Sequence, residues 1–201
     1  MAEVEDVTQV EETAAAEIRS VIALWAEAFP TRSVDTARGV HASSIVSFYI
    51  VPPLRYRGFD DYATAWDGAF EAFAGPIDIA LHDQNITVRD DIAFSHSLNR
   101  FAATTHDGVK VEYWFRWTAC FQKLDGRWRI VHDHSSLPTD FADGHSVLDL
   151  RPDGSDPRST EVGSANKVGG SNPAFGSAAE GNLLAAYLSF LHALLRAVCS
   201  G

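Results

Sequence analysis

The hydrophobic pattern of this chain passes from mainly helical spacing to sustained alternation near Gly75-Pro76, and that change limits the folds open to it. Before it, apolar residues recur at helical spacing: Ile18, Val21, Ile22, Trp25 and Phe29 in one stripe, and Phe59, Tyr62, Ala63, Trp66, Phe70 and Phe73 in another. Pro30 stops the first helix, because proline has no backbone donor and restricts the residue before it. A short helix around 33–41 and a strand over 44–51 fill the gap, and the strand stops at Pro52-Pro53. After Gly75-Pro76 the period is two, and residues 77–88, 92–105, 109–123 and 127–137 read as four strands. Asp90-Asp91, Asp107-Gly108 and Asp125-Gly126 punctuate them, and the Asp-Gly pairs tolerate the positive φ of tight hairpins. Helices first and an antiparallel meander afterwards predict an α+β fold.

A chain of 201 residues, 46% hydrophobic, buries one sizeable core, so one domain is expected over 13–150, after an acidic N-terminal tail over 1–12. Cys120 and Cys199 have neither disulfide-framework nor metal-type spacing, which fits a reducing compartment. The acidic start has no basic or apolar leader-like region, so the expected location is the cytoplasm. A formal net charge of -11 repels phosphate backbones and anionic lipid, which argues against nucleic acid as a partner.

In the 109–121 strand, Val111, Tyr113, Phe115, Trp117, Ala119 and Phe121 alternate with Glu112, Trp114, Arg116, Thr118 and Cys120. Both faces carry aromatic bulk, whereas a solvated face should be more polar. Helices are expected on one face and a second subunit on part of the other, which makes a homodimer the simplest assembly.

Four segments carry a family resemblance. They are Pro52-Pro53-Leu54-Arg55-Tyr56-Arg57-Gly58, then His96-Ser97-Leu98-Asn99-Arg100, Trp114-Phe115-Arg116-Trp117-Thr118, and the run from Asp125 through Trp128, Ile130, His132 and His134 to Ser136. In these residues and their order the chain resembles SnoaL-like, ketosteroid-isomerase-like proteins of the nuclear transport factor two-like superfamily, over about residues 13–150. The resemblance implies a cone-shaped, curved, mixed or antiparallel sheet wrapped around N-terminal helices, a cystatin-like roll with a conical pocket, usually dimeric. Relatives include isomerases, polyketide cyclases, epoxide hydrolases, dehydratases and non-catalytic association domains. Where true ketosteroid isomerases carry a general-base Asp, a gapless alignment puts Tyr49, a poor base at neutral pH but a good hydrogen-bond donor.

Strict alternation along the last strand groups Trp128, Ile130, His132 and His134 on one face and Arg129, Val131, Asp133 and Ser135 on the other. The 92–100 strand similarly groups Ile92, Phe94, His96, Leu98 and Arg100. If these faces line the pocket, His96, His132 and His134 supply proton acceptors near neutral pH, and Tyr49 or Tyr113 donates to a developing enolate oxygen. The alternative is that the histidines are buried structural groups. Pocket walls are expected from Trp66, Phe70, Phe94, Arg100, Phe115, Trp117 and Trp128. An alternative site pairs Arg116 with Asp133, either as an ion pair between strands or as the carboxylate–arginine pair that limonene-epoxide hydrolases use. His132 and His134 have chelate spacing but no local third ligand, and no metal is assigned.

The function expected from these readings is cofactor-independent acid–base chemistry, such as isomerisation, cyclisation or dehydration, on a small apolar carbonyl compound. The rival is a non-catalytic dimeric ligand-binding or assembly module, and an epoxide-hydrolase-like activity is a further alternative. Residues 151–181 read as a flexible linker. Residues 182–201 carry an amphipathic helix at 182–199 that is too short and interrupted to span a membrane and suits docking to a partner protein or shell.

Overall fold

The computed structural model describes residues 2–142 and 144–155; the 156–181 part of the expected linker and the 182–199 helix lie outside the described residues. Helix α1 covers Ala2–Glu27, α2 Val34–Val40 and α3 Phe59–Ala72, and the strands are β1 His41–Phe48, β2 Tyr56–Arg57, β3 Phe73–Arg89, β4 Ile92–Thr105, β5 Lys110–Leu124 and β6 Arg127–Ser136. Helix α1 thus runs back through the acidic segment expected as a tail, whose Ala, Glu and Gln are good helix formers. The short α2 is capped by Ser33, whose side chain accepts the Thr36 N–H at 3.0 Å.

Among the described residues, one sheet of six strands has the order β2-β1-β6-β5-β4-β3, an α+β arrangement in which β1 and β6 form the one parallel pair. At the β5–β6 hairpin Asp125 has φ 49° and Gly126 φ 76°, the two positive angles of a type I′ turn. Gly58, which starts α3, has φ 82°; a Cβ there would approach the Ser43 carbonyl oxygen to 3.3 Å, so glycine is needed where β2 turns into the helix.

The helices lie on one face of the sheet and their apolar stripes fill it. Trp25 of α1 stacks on Trp117 of β5 with centroids 4.1 Å apart, and Phe29 meets Trp66 of α3 at 4.7 Å. Mid-way along β4 three successive inward residues, Ser95, Ser97 and Asn99, are small and polar, all buried. The register sets Ser97 beside Trp117 and Asn99 beside Phe115, so small side chains leave room for large rings on the next strand.

One irregularity decides the chemistry of the interior. Phe121 pairs with Ile130 but Cys120 pairs with His132, so Val131 is an extra residue in β6, a β-bulge. Trp128 and Ile130 point inward before it, and Asp133 and Ser135 point inward after it.

Candidate functional site

A narrow cavity opens between α1, α3 and the sheet. Trp25, Phe29, Trp66, Phe101 and Phe115 wall it, and Tyr49, Tyr62 and Ser135 give it polar groups. It measures about 450 Å³ counting its open mouth, but only about 20 Å³ of it can take the centre of a water-sized sphere. A void of that kind holds about one water, so a larger guest must displace rings.

Behind the cavity wall lies a cluster of ionisable groups. Asp133 is 1% exposed; its Oδ2 accepts the Tyr62 hydroxyl at 3.3 Å, and its Oδ1 is buried with no hydrogen-bond partner among the described residues. No Arg or Lys pairs with it among the described residues. His41 is 4% exposed, with Nε2 4.0 Å from Asp133 Oδ2. Burial pushes the Tyr62 phenol well above its ordinary range, helped by the Asp133 carboxylate beside it, and burial raises Tyr49 likewise. Both phenols therefore remain protonated donors at any ordinary pH. Burial also lowers His41, against the pull of Asp133 and the Ala37 carbonyl.

The cavity collects Tyr49, Trp66 and Phe115 from the residues expected at the site. Phe70, Trp117 and Trp128 are buried in the surrounding core, and Trp128 donates its indole N–H to Glu17 at 3.0 Å. Tyr113 is half-buried and stacks on Phe101 at 4.8 Å, outside the cavity. The histidine grouping differs from strict alternation. The Val131 bulge reverses the phase of β6, so His132 and His134 turn to the outer face of the sheet, against Phe48 at 4.9 and 5.9 Å. His132 Nδ1 lies 2.6 Å from the Val46 carbonyl oxygen. On β4 the ring-bearing face is also the outer one: Phe94 is 45% exposed, His96 is exposed, and Arg100 bonds to Asp78 and Glu112 there. Arg116 lies exposed on that outer face while Asp133 is buried on the inner one, so the two are not paired. Among the described residues no group of three or more His, Cys, Asp or Glu is arranged to hold a metal ion.

Sequence reasoning passed over His41 and Tyr62. Tyr62 stands in the α3 stripe as one more apolar position, and His41 sits at a helix–strand junction that carries no motif. No sequence signal marks them, because the group they meet, Asp133, turns inward only through the bulge at Val131.

An open sheet that holds helices in its concavity over an apolar, phenol-edged cavity defines the NTF2-like class of α+β proteins. The solved structures agree in fold. An NTF2-like protein of unknown function from Pseudomonas putida is 28% identical with a TM-score of 0.64, covering 71% of this chain and 99% of that one. A protein of unknown function from Mycobacterium tuberculosis is 14% identical with a TM-score of 0.64, over 92% of this chain and 97% of that one. An NTF2-like superfamily protein from Salmonella enterica is 20% identical with a TM-score of 0.59, over 68% of this chain and 99% of that one. The chain belongs to the SnoaL-like domain family, whose model matches residues 18–140. None of the curated proteins matches it. No described helix is long and apolar enough to cross a membrane.

Proposed function

We propose that the chain is a cofactor-independent acid–base enzyme that takes a small apolar oxygen-bearing compound into the cavity, with Asp133 handling the proton and the Tyr49 and Tyr62 hydroxyls donating to the ligand's oxygen. One observation carries this reading: a fully buried carboxylate with no Arg or Lys partner among the described residues is held by a phenol that also faces an apolar cavity. Burying such a group costs several kcal/mol, and stability gives no reason to keep it. In an apolar site two phenols aimed at a developing oxyanion are worth far more than in water, because they need no reorganisation. The reaction class is proton abstraction beside a carbonyl, as in isomerisation, cyclisation or dehydration. The acidic, cysteine-poor composition supports work in the cytoplasm.

The test is exchange of solvent deuterium into the α-carbon of a panel of small cyclic enones and ketones, read by mass spectrometry. The expected result is exchange above the buffer rate that Asp133→Asn abolishes and Tyr62→Phe weakens. Exchange that survives in Asp133→Asn would refute the assignment. A binding-only role is the second reading, favoured by how fully rings fill the cavity. It predicts saturable quenching of tryptophan fluorescence by the same compounds with no exchange.

A further inference from the structure

His41 is held in one tautomer by the backbone. Its Nδ1 lies 2.6 Å from the Ala37 carbonyl oxygen, at the end of α2, where that oxygen also accepts the His41 backbone N–H. A carbonyl oxygen only accepts, so Nδ1 carries a hydrogen in every ionisation state, and the neutral ring presents Nε2 as a lone pair. The ring cannot turn away, packed as it is against Phe59 at 5.2 Å, Tyr62 at 5.7 Å and Trp66 at 6.1 Å. Nε2 is buried, has no hydrogen-bond partner among the described residues, and faces Asp133 Oδ2 at 4.0 Å. Two acceptors thus confront each other where the local dielectric is low.

We propose that the facing Nε2 and Asp133 carboxylate form a seat for one proton, so that His41 is a positioning residue that takes up the proton Asp133 removes from the ligand. The proposal rests on the acid–base reading of Asp133. In balanced form, the ligand's C–H bond breaks and its proton joins the Asp133 carboxylate, the electron pair remaining on the ligand. The proton then passes to Nε2, leaving an imidazolium–carboxylate pair, and it returns by the same route when product is protonated. The other titratable groups acting on the pair are the Tyr62 phenol of α3 on Asp133 Oδ2, Tyr49, which follows β1, and the Cys120 thiol of β5, raised by burial and by Asp133; all three are held protonated and none competes as a base. Aromatic rings occupy the α3 side of His41, so the ring's charge state is set chiefly by Asp133 and by burial.

The experiment is side-chain nitrogen NMR on the full chain labelled with 15N-histidine, across pH, with the His41 signals assigned by their loss in His41→Asn. That variant keeps an amide N–H for the Ala37 carbonyl and removes Nε2. The expected spectrum has hydrogen on Nδ1 and a bare Nε2 at high pH, with Nε2 gaining its proton as pH falls; in Asp133→Asn that step moves to lower pH. Hydrogen on Nε2 at high pH, or a His41 titration indifferent to Asp133→Asn, overturns the proposal. The NMR needs no turnover, so it can fail while deuterium exchange still depends on Asp133. Conversely, exchange that persists in Asp133→Asn overturns the assignment of Asp133 and, with it, the passage of its proton to His41, whatever the NMR shows. If exchange depends on Asp133 and His41→Asn leaves its pH profile unchanged, the seat is overturned and the reading of Asp133 stands.

Discussion

Replacing Asp133 by Asn should stabilise the protein while it abolishes the proposed chemistry. In the native chain the carboxylate is 1% exposed, receives one hydrogen bond from Tyr62 at 3.3 Å, and faces the acceptor Nε2 of His41 at 4.0 Å. The effective penalty for burying a charge of this kind is several kcal/mol. The hydrogen bond from Tyr62 falls from the roughly 1.5–3 kcal/mol of a charged acceptor to about 1 kcal/mol for an amide, which returns part of the gain. The Asn amide, nearly isosteric, turns an N–H toward Nε2 where two lone pairs had met. The net expectation is a gain of about 1–3 kcal/mol; at about 2–4 °C per kcal/mol for a chain of this size, that is a rise in Tm of about 2–12 °C. Urea unfolding at pH 7, followed by tryptophan fluorescence, measures it as a higher midpoint at unchanged slope. A loss of more than about 1 kcal/mol at unchanged slope would show that Asp133 is kept for stability, and the functional argument from its burial would fall.

Because burial lowers the pKa of His41 below its ordinary 6.5, the unfolded chain binds a proton there more readily than the folded one; stability should therefore hold above pH 6.5 and decline below it, by up to about 1.4 kcal/mol per unit of that lowering. A midpoint in urea that stays constant from pH 7.5 to 5.5 in the wild type, yet varies in His41→Asn, would contradict this. Trp117→Ala removes a ring that is 1% exposed and stacked on Trp25, and should cost about 3–5 kcal/mol in the same melts; a cost under about 1 kcal/mol would mean that the core collapses to fill the gap. If the outer sheet face pairs with a second copy, as its exposed Phe48 and Phe94 suggest, light scattering should give a dimer that Phe94→Glu dissociates; a monodisperse wild-type monomer at micromolar concentration would remove the dimer.

Much of the architecture is readable in the chain because local signals agree with the global fold. The β4 strand begins and ends where turn residues require it, and Asp125-Gly126 makes the hairpin its composition calls for. The aromatic stripe of α3 faces the core as its spacing demands, with Trp66 at the cavity. The inner and outer faces of β4 were not readable. Alternation identifies two groups of residues but not which is inside, and here the small polar Ser95, Ser97 and Asn99 are buried to make room for Trp117 and Phe115. In β6 the period itself breaks at Val131, which no composition rule marks. His41 becomes visible only through the long-range parallel pairing of β1 with β6.

The extra residue in β6 works like a frame shift within the protein's own geometry. Upstream of Val131 the strand spells hydrophobic core, and downstream the same two-residue rhythm, offset by one, spells carboxylate and hydroxyl into the interior while the histidines are read out to the surface. Chemical identity behind the cavity wall is therefore encoded in strand length as much as in residue type. Were Val131 paired in step instead of bulged, every functional side chain would remain in the sequence while His132 and His134 took the inward places of Asp133 and Ser135, so in this fold one extra residue in a strand decides the reagent.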